Sequence, residues 1–323
     1  MNYLGVFLFV LGLWVYITKS FPVTTEEEFE SEPNLRSGSV INSWNDSWEV
    51  NPDELGNYFQ GDIITTTTNL RSITRNESLR WPYGIVPFVI AGPYNDEGLD
   101  LLEWAINQYH MLTCVRFRPK EPFDHDYLYI TNGFTGCWSS LGRQGGKQEL
   151  NLQHPGCLST KRRGTAIHEL MHALGIKHEH TRIDRDQHIA IMNDNINPAR
   201  MINFERSNEE DVTNFGIPYD FGSVMHYSMY AFSKDYGKKP TITPKMIEEL
   251  MRQDGSRIKM GQRQGFGEND VKKLNIMYCP PEGLIHPGPI ISLRKPVEET
   301  IGTAAEWWTN ALRSFQNTFN PFA

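Results

Sequence analysis

The tightest constraint on this chain is an eleven-residue run, His168-Glu169-Leu170-Met171-His172-Ala173-Leu174-Gly175-Ile176-Lys177-His178. Residues four apart share one face of an α-helix, so His168 and His172 can present two imidazoles to one point. Glu169 sits beside that point, placed to work on a water rather than to ligate a metal. Gly175 follows three residues after the second histidine, where a left-handed residue can end the helix and turn the chain. His178 can then approach as a third nitrogen ligand. Three protein ligands leave a fourth position for water, the pattern of a catalytic zinc site rather than a structural one. His and Glu are ordinary on exposed helix faces, so the first five residues alone carry little. The added Gly175 and His178 carry the argument.

The run continues as Glu179-His180-Thr181-Arg182-Ile183-Asp184-Arg185-Asp186. Together these residues resemble the signature of the astacin family, secreted zinc endopeptidases of the metzincin group. The resemblance implies an α+β, metzincin-type two-lobed protease domain. Its N-terminal lobe would hold a twisted mixed sheet with helices, and its C-terminal lobe would be irregular with a Met-turn. An active-site cleft would lie between the lobes. One Zn2+ would be held by His168, His172 and His178. Further on, Ser223-Val224-Met225-His226-Tyr227 is similar to the family's Met-turn. Met225 would then form an apolar floor beneath the metal. Tyr227 would be a fifth ligand in the resting enzyme, able to swing away and hydrogen-bond the developing oxyanion.

Upstream, Phe59-Gln60-Gly61-Asp62 is similar to the family's FxGD propeptide motif, in which the aspartate takes the open zinc position. A carboxylate is a competent zinc ligand, so Asp62 is expected to keep the chain latent. The four cysteines, Cys114, Cys137, Cys157 and Cys279, show no CxxC spacing and admit three pairings. The resemblance implies Cys114–Cys279 and Cys137–Cys157.

Other features bound the setting. With 323 residues the chain has room for one catalytic domain and flanking segments, and its net charge of -8 argues against a nucleic-acid partner. Residues 1–20 are apolar and then turn polar at Thr18-Lys19-Ser20, as in a signal peptide, and an even cysteine count fits the secretory route. Residues 21–71 read as a propeptide, acidic and then Ser- and Asn-rich, a composition that rarely packs a core by itself. Arg71 and Arg75 are candidate sites for an activating trypsin-like protease. Family likeness around Trp81-Pro82 favours cleavage after Arg71, and implies that the new ammonium of Ser72 folds inward toward Glu179. Asn45 and Asn76 head glycosylation sequons.

From 72 to 280 the chain reads as the catalytic domain. Residues 85–90, 115–118 and 127–130 are expected as strands, and a helix capped at Asn95-Asp96 runs to about Thr113. Leu99, Leu102, Ile106 and Tyr109 mark its apolar face. Residues 148–153 are expected as a strand bordering the cleft, whose edge an extended peptide could join. Glu268-Asn269-Asp270 should cap a last helix over 271–277. Astacins often favour an acidic residue after the scissile bond; Arg162, Arg163, Arg257 and Arg263 are candidates to read it, with solvated surface roles the commoner case.

The tail, 281–323, opens as a Pro-rich linker. Ile301, Ala305, Trp308, Leu312, Phe315 and Phe319 then form an apolar helical stripe widened by Trp307. Docking on the protease is the plainest use of that stripe; a partner or a membrane surface are alternatives. The expected function is hydrolysis of peptide bonds in extracellular polypeptides, with Glu169 as general base. The alternative is a non-hydrolytic zinc-binding adhesion or receptor module of the same fold.

Overall fold

The computed structural model describes residues 32–64, 77–207, 214–252, 254–279 and 288–294. The expected signal peptide, the cleavage sites at Arg71 and Arg75, Ser72, Asn76 and the tail stripe lie outside them. Among the described residues no helix is long and apolar enough to cross a membrane.

The N-terminal lobe is built on a six-stranded sheet. Its strands are β1 (Ile63–Ile64), β2 (Ile85–Ile90), β3 (Arg116–Pro119), β4 (Tyr127–Thr131), β5 (Cys137–Ser140) and β6 (Lys147–Leu152), in the order β1-β5-β6-β4-β2-β3. All neighbours are parallel except β5 and β6. β4 shows why the lobe forms: Leu128 and Ile130 are buried, and the residues between them are half-exposed, the period of a strand with one face on the core. Before β1, α1 (Glu32–Asn42) packs on the same lobe, and α2 (Asp96–Leu112) and α3 (Gly164–Ala173) cover the sheet.

α2 begins where expected, with the Asn95 side chain accepting from Gly98 N at 2.9 Å. Its buried face is Leu101, Leu102, Ala105, Ile106 and Tyr109. Leu99, expected there, is half-exposed because the stripe runs one residue further round. All ten residues of α3 are buried, which makes it the central helix of the lobe. The Tyr109 hydroxyl donates to Ile167 O at 2.7 Å and the Trp81 indole donates to Ala173 O at 2.8 Å, tying both ends of α3.

One strand assignment is corrected. The segment expected to border the cleft, β6, is interior, paired with β4 on one side and β5 on the other. Outside β6 lies β5 (Cys137–Ser140), antiparallel to it and joined through the turn at Gly145 and Gly146, both at positive φ. The outer side of β5 is paired by β1: Ile63 and Ile64 lie opposite Ser139 and Ser140, and Ser139 N donates to Asp62 O at 2.9 Å.

The segment before β1 is not left outside. Ile41, Val50 and Leu55 join the main apolar cluster, so a segment too polar to fold alone completes a core that the domain supplies. The C-terminal lobe carries one two-stranded sheet, β7 (Ile189–Ile191) with β8 (Ile242–Pro244), and a second cluster around Phe204, Tyr219, Phe221 and Phe232. The last helix, α4 (Glu268–Tyr278), starts earlier than expected. Gly267 stands at its N-cap and Asp270, in the third helical position, accepts from Gly267 N at 2.8 Å. Disulfides join Cys114 to Cys279 and Cys137 to Cys157. Beyond α4, residues 288–294 lie along α2, so this part of the expected linker is packed.

Candidate active site

α3 places His168 and His172 one turn apart on its inner face. Gly175, at φ 95°, then turns the chain as only glycine does without strain, and brings in His178. The three Nε2 atoms converge: His168 lies 3.0 Å from His172 and 3.3 Å from His178. Each opposite nitrogen has an acceptor, which fixes the tautomer. His168 Nδ1 donates to Val224 O at 2.8 Å, His172 Nδ1 to Ile176 O at 2.8 Å, and His178 Nδ1 to Gln60 Oε1 at 2.8 Å. The Nε2 lone pairs are therefore left to face one another, an arrangement that three neutral rings tolerate only around a shared cation. Burial pushes His178 down to about 3 even with Asp62 beside it.

Asp62 closes the cluster. Its Oδ2 is 3.0 Å from His168 Nε2 and 3.2 Å from His178 Nε2, and its Oδ1 is 3.6 Å from His172 Nε2. Burial alone would raise this carboxyl, but the neighbouring His178 and His172 hold it well below the usual range. Gln60 and Gly61, at φ 50° and 95°, make the turn that aims it, and a Cβ on Gly61 would come within 2.9 Å of Asp53 O. Three buried imidazoles and one carboxylate oxygen form a donor set that fits zinc.

Glu169 is fully buried, and neither carboxylate oxygen has a hydrogen-bond partner among the described residues. Burial, then the carboxylates of Asp62 and Asp53, push it well above the ordinary range. Such a group is costly to keep and is the kind found where a proton must be moved. Met225 is buried, and its carbonyl accepts from Glu179 N at 3.0 Å. The Tyr227 hydroxyl, in this uncleaved chain, donates to Gln60 O. Its ring stacks on His180, with centroids 3.7 Å apart.

The four arginines separate clearly. Arg163 and Arg257 are exposed. Arg162, expected at the surface, is buried and bonds Asn51 and Asp46. Arg263 is fully buried beside the histidines. It donates to Asp53 at 2.6 Å and lies 3.8 Å from Glu54, while Asp53 is 4.0 Å from His168 Nε2. The surface reading of Arg162 and Arg263 is thus corrected: carboxyl and amide groups of residues 46–54 cover them. Sequence reasoning passed over Asp53, Glu54 and Gln60, and the acidic pair eight and nine residues before Asp62 was the available signal. Asn45 is exposed and caps the turn Asp46–Trp48.

Residues 73–279 match the family model described as Astacin, a peptidase family. Zinc metalloproteinase nas-15 of Caenorhabditis elegans is 33% identical over 306 residues, 87% of this chain and 51% of that protein. Zinc metalloproteinase nas-14 of the same organism is 41% identical over 254 residues, 78% of this chain and 46% of that protein. This chain spans about half the length of these curated relatives. High choriolytic enzyme 1 of Oryzias latipes is 34% identical over 275 residues, 81% of this chain and 93% of that protein. Its solved structure, described as a hatching enzyme zinc-protease, aligns with TM-score 0.52 at 33% identity, covering 67% of this chain and 98% of that one. Likeness of this extent, on a chain whose histidines already fit zinc, leaves one conclusion: it belongs to the astacin family of zinc metalloproteinases.

Proposed function

We propose that the chain is made as a secreted, latent zinc endopeptidase and cleaves extracellular polypeptides once the segment carrying Asp62 is removed. The observation that supports this reading most directly is the meeting of three imidazole nitrogens with one propeptide carboxylate beside an unpartnered, buried Glu169. Bound zinc supplies Lewis acidity for a water and for the scissile carbonyl. Glu169 then accepts the water's proton and passes it to the leaving amine nitrogen. Tyr227, freed from Gln60 O, turns its hydroxyl to the oxygen on which charge develops. The edge of β5, vacated by Ile63 and Ile64, offers an extended substrate the same backbone partners. Arg263, relieved of Asp53 and Glu54, is the candidate to read an acidic residue after the scissile bond.

A trypsin-like protease acting at Arg71 or Arg75 would release the latch. The alternative of a non-hydrolytic module gives Glu169 no task. Casein zymography of the full chain, with and without trypsin treatment and a zinc chelator, tests the reading. Trypsin should create a chelator-sensitive activity, and Asp62→Ala should show part of it uncleaved. An inert wild type after complete processing would refute it.

A further inference from the structure

Three cations, Lys161, Arg162 and Arg263, meet at the start of α3, where Gly164 N donates to Arg263 O at 2.8 Å and Gln264 Nε2 donates to Lys161 O at 3.0 Å. Arg162 and Arg263 are 7% and 0% exposed, and a guanidinium so buried is costly without a counter-charge. Among the described residues, every carboxylate paired with these three cations comes from residues 46–54 and none from residues 77–279. Asp46 takes Lys161 at 3.0 Å and Arg162 at 3.1 Å. Asp53 takes Arg263 through Nε and Nη2, and accepts from Thr165 Oγ1 at 3.4 Å. Glu54 accepts from Ser228 N at 2.7 Å and from the Ser228 hydroxyl. Asn51 joins the two ends of this strip. Its Oδ1 accepts from Arg162 at 3.0 Å, and its Nδ2 donates to Glu54 Oε1 at 2.7 Å and to Gly261 O at 3.0 Å. None of these acids belongs to the donor group around the three imidazoles, to which the segment contributes Asp62.

We propose that this cationic strip and residues 46–54 form a second latch, one that does not depend on metal. The partner the strip fits is an acidic stretch of polypeptide, bound by charge-assisted hydrogen bonds, and in the uncleaved chain residues 46–54 fill that place. The segment is then held at two independent points, by Asp62 at the histidines and by Asp46, Asp53 and Glu54 at the cations. Losing Asp62 opens the site only in part. This rests on the latent-endopeptidase reading for its activity arm alone, which is read once processed wild type cleaves casein. Amide exchange reads the latch whether or not the enzyme is active, so failure of the one reading is told apart from failure of the other.

The test uses the full-length, uncut chain, with its mass checked before and after each measurement. Hydrogen exchange at the amides of residues 53–57 is followed in the zinc-loaded wild type, in the chelator-stripped wild type, in Asp62→Ala and in Asp53→Asn with Glu54→Gln. Stripping the metal or removing Asp62 should change that exchange by less than about threefold. Asp53→Asn with Glu54→Gln should speed it about tenfold or more with zinc present. Adding those two changes to Asp62→Ala should raise casein turnover by the uncut chain about fivefold or more over Asp62→Ala alone. A larger response to metal removal, a smaller response to the paired substitution, or a smaller gain in turnover each overturns the proposal. If Asp53→Asn with Glu54→Gln does not fold, adding Arg263→Gln leaves no unpaired charge in the buried group, and that form is held to the same exchange threshold.

Discussion

Glu169 and Glu179 are buried carboxylates ten positions apart, and their surroundings are opposite. Glu179 has three donors, whereas Glu169 has none among the described residues. Satisfying a buried carboxylate fixes it, and leaving it bare makes it a base. Glu169→Gln should therefore keep stoichiometric zinc, measured by atomic absorption, yet lose about 100-fold or more in kcat, the usual contribution of a general base. Near-normal turnover would remove Glu169 from the chemistry. Arg263 offers a test of the proposed latency. In the uncleaved chain Arg263→Leu strands Asp53 and Glu54 without their cation, a loss of about 3–5 kcal/mol by analogy with broken buried pairs. Urea unfolding of the full chain should show that loss, and the processed enzyme, lacking both acids, should show far less of it. At this scale the histidines were legible because helix period and one glycine fix their spacing. The partners of Arg263 were not, because Asp53 lies 210 positions away and only the fold brings it near.

Elements were readable where burial repeats with a regular period, as in β4 and α2, and were misread where neighbours decide. Nothing local distinguishes an edge strand from an interior one, so local pattern makes β6 an edge where the sheet places it between β4 and β5; pairing order is a property of the whole sheet. The strap after α4 was hidden for the same reason. Its residues meet α2 at positions one or two turns apart: His110 with Pro289, Asn107 with Ile291, Glu103 with Leu293, and Asp96 with Arg294. Ile291 and Leu293 also pack on the main cluster. Prolines and glycines suggested a linker, while the recognition lies in α2. Ending the chain after residue 287 should cost about 2–4 kcal/mol from lost hydrogen bonds and apolar cover. Ending it after 294 keeps the strap and serves as the reference. Calorimetry of the two truncations separates a packed strap from a linker, and equal melting temperatures would deny the strap any weight.

For the whole molecule, the fold buries several titratable groups in charge states they would not hold in water, and this sets its response to acid. His110 in the N-terminal lobe accepts from Phe117 N at 2.9 Å and donates to Pro289 O at 2.7 Å. His226 in the C-terminal lobe bonds the Tyr219 hydroxyl at 2.7 Å and donates to Tyr227 O at 2.7 Å. Each ring gives with one nitrogen and takes with the other, so each must be neutral, and burial pushes both down to about 4. Between pH 6.5 and 4 the unfolded histidines bind protons that the native ones refuse, so falling pH favours unfolding, by about 3 kcal/mol for each ring. Asp270 works the other way. Burial raises it to about 6, so from pH 6 down to 4 the native chain takes up a proton earlier than the unfolded one, offsetting about 3 kcal/mol. For these three groups alone the balance is a loss of about 3 kcal/mol between pH 6.5 and 4. Urea midpoints measured across that range should fall as the pH falls. A midpoint that stayed level or rose between pH 6.5 and 5 would mean that these rings are not held neutral by the fold.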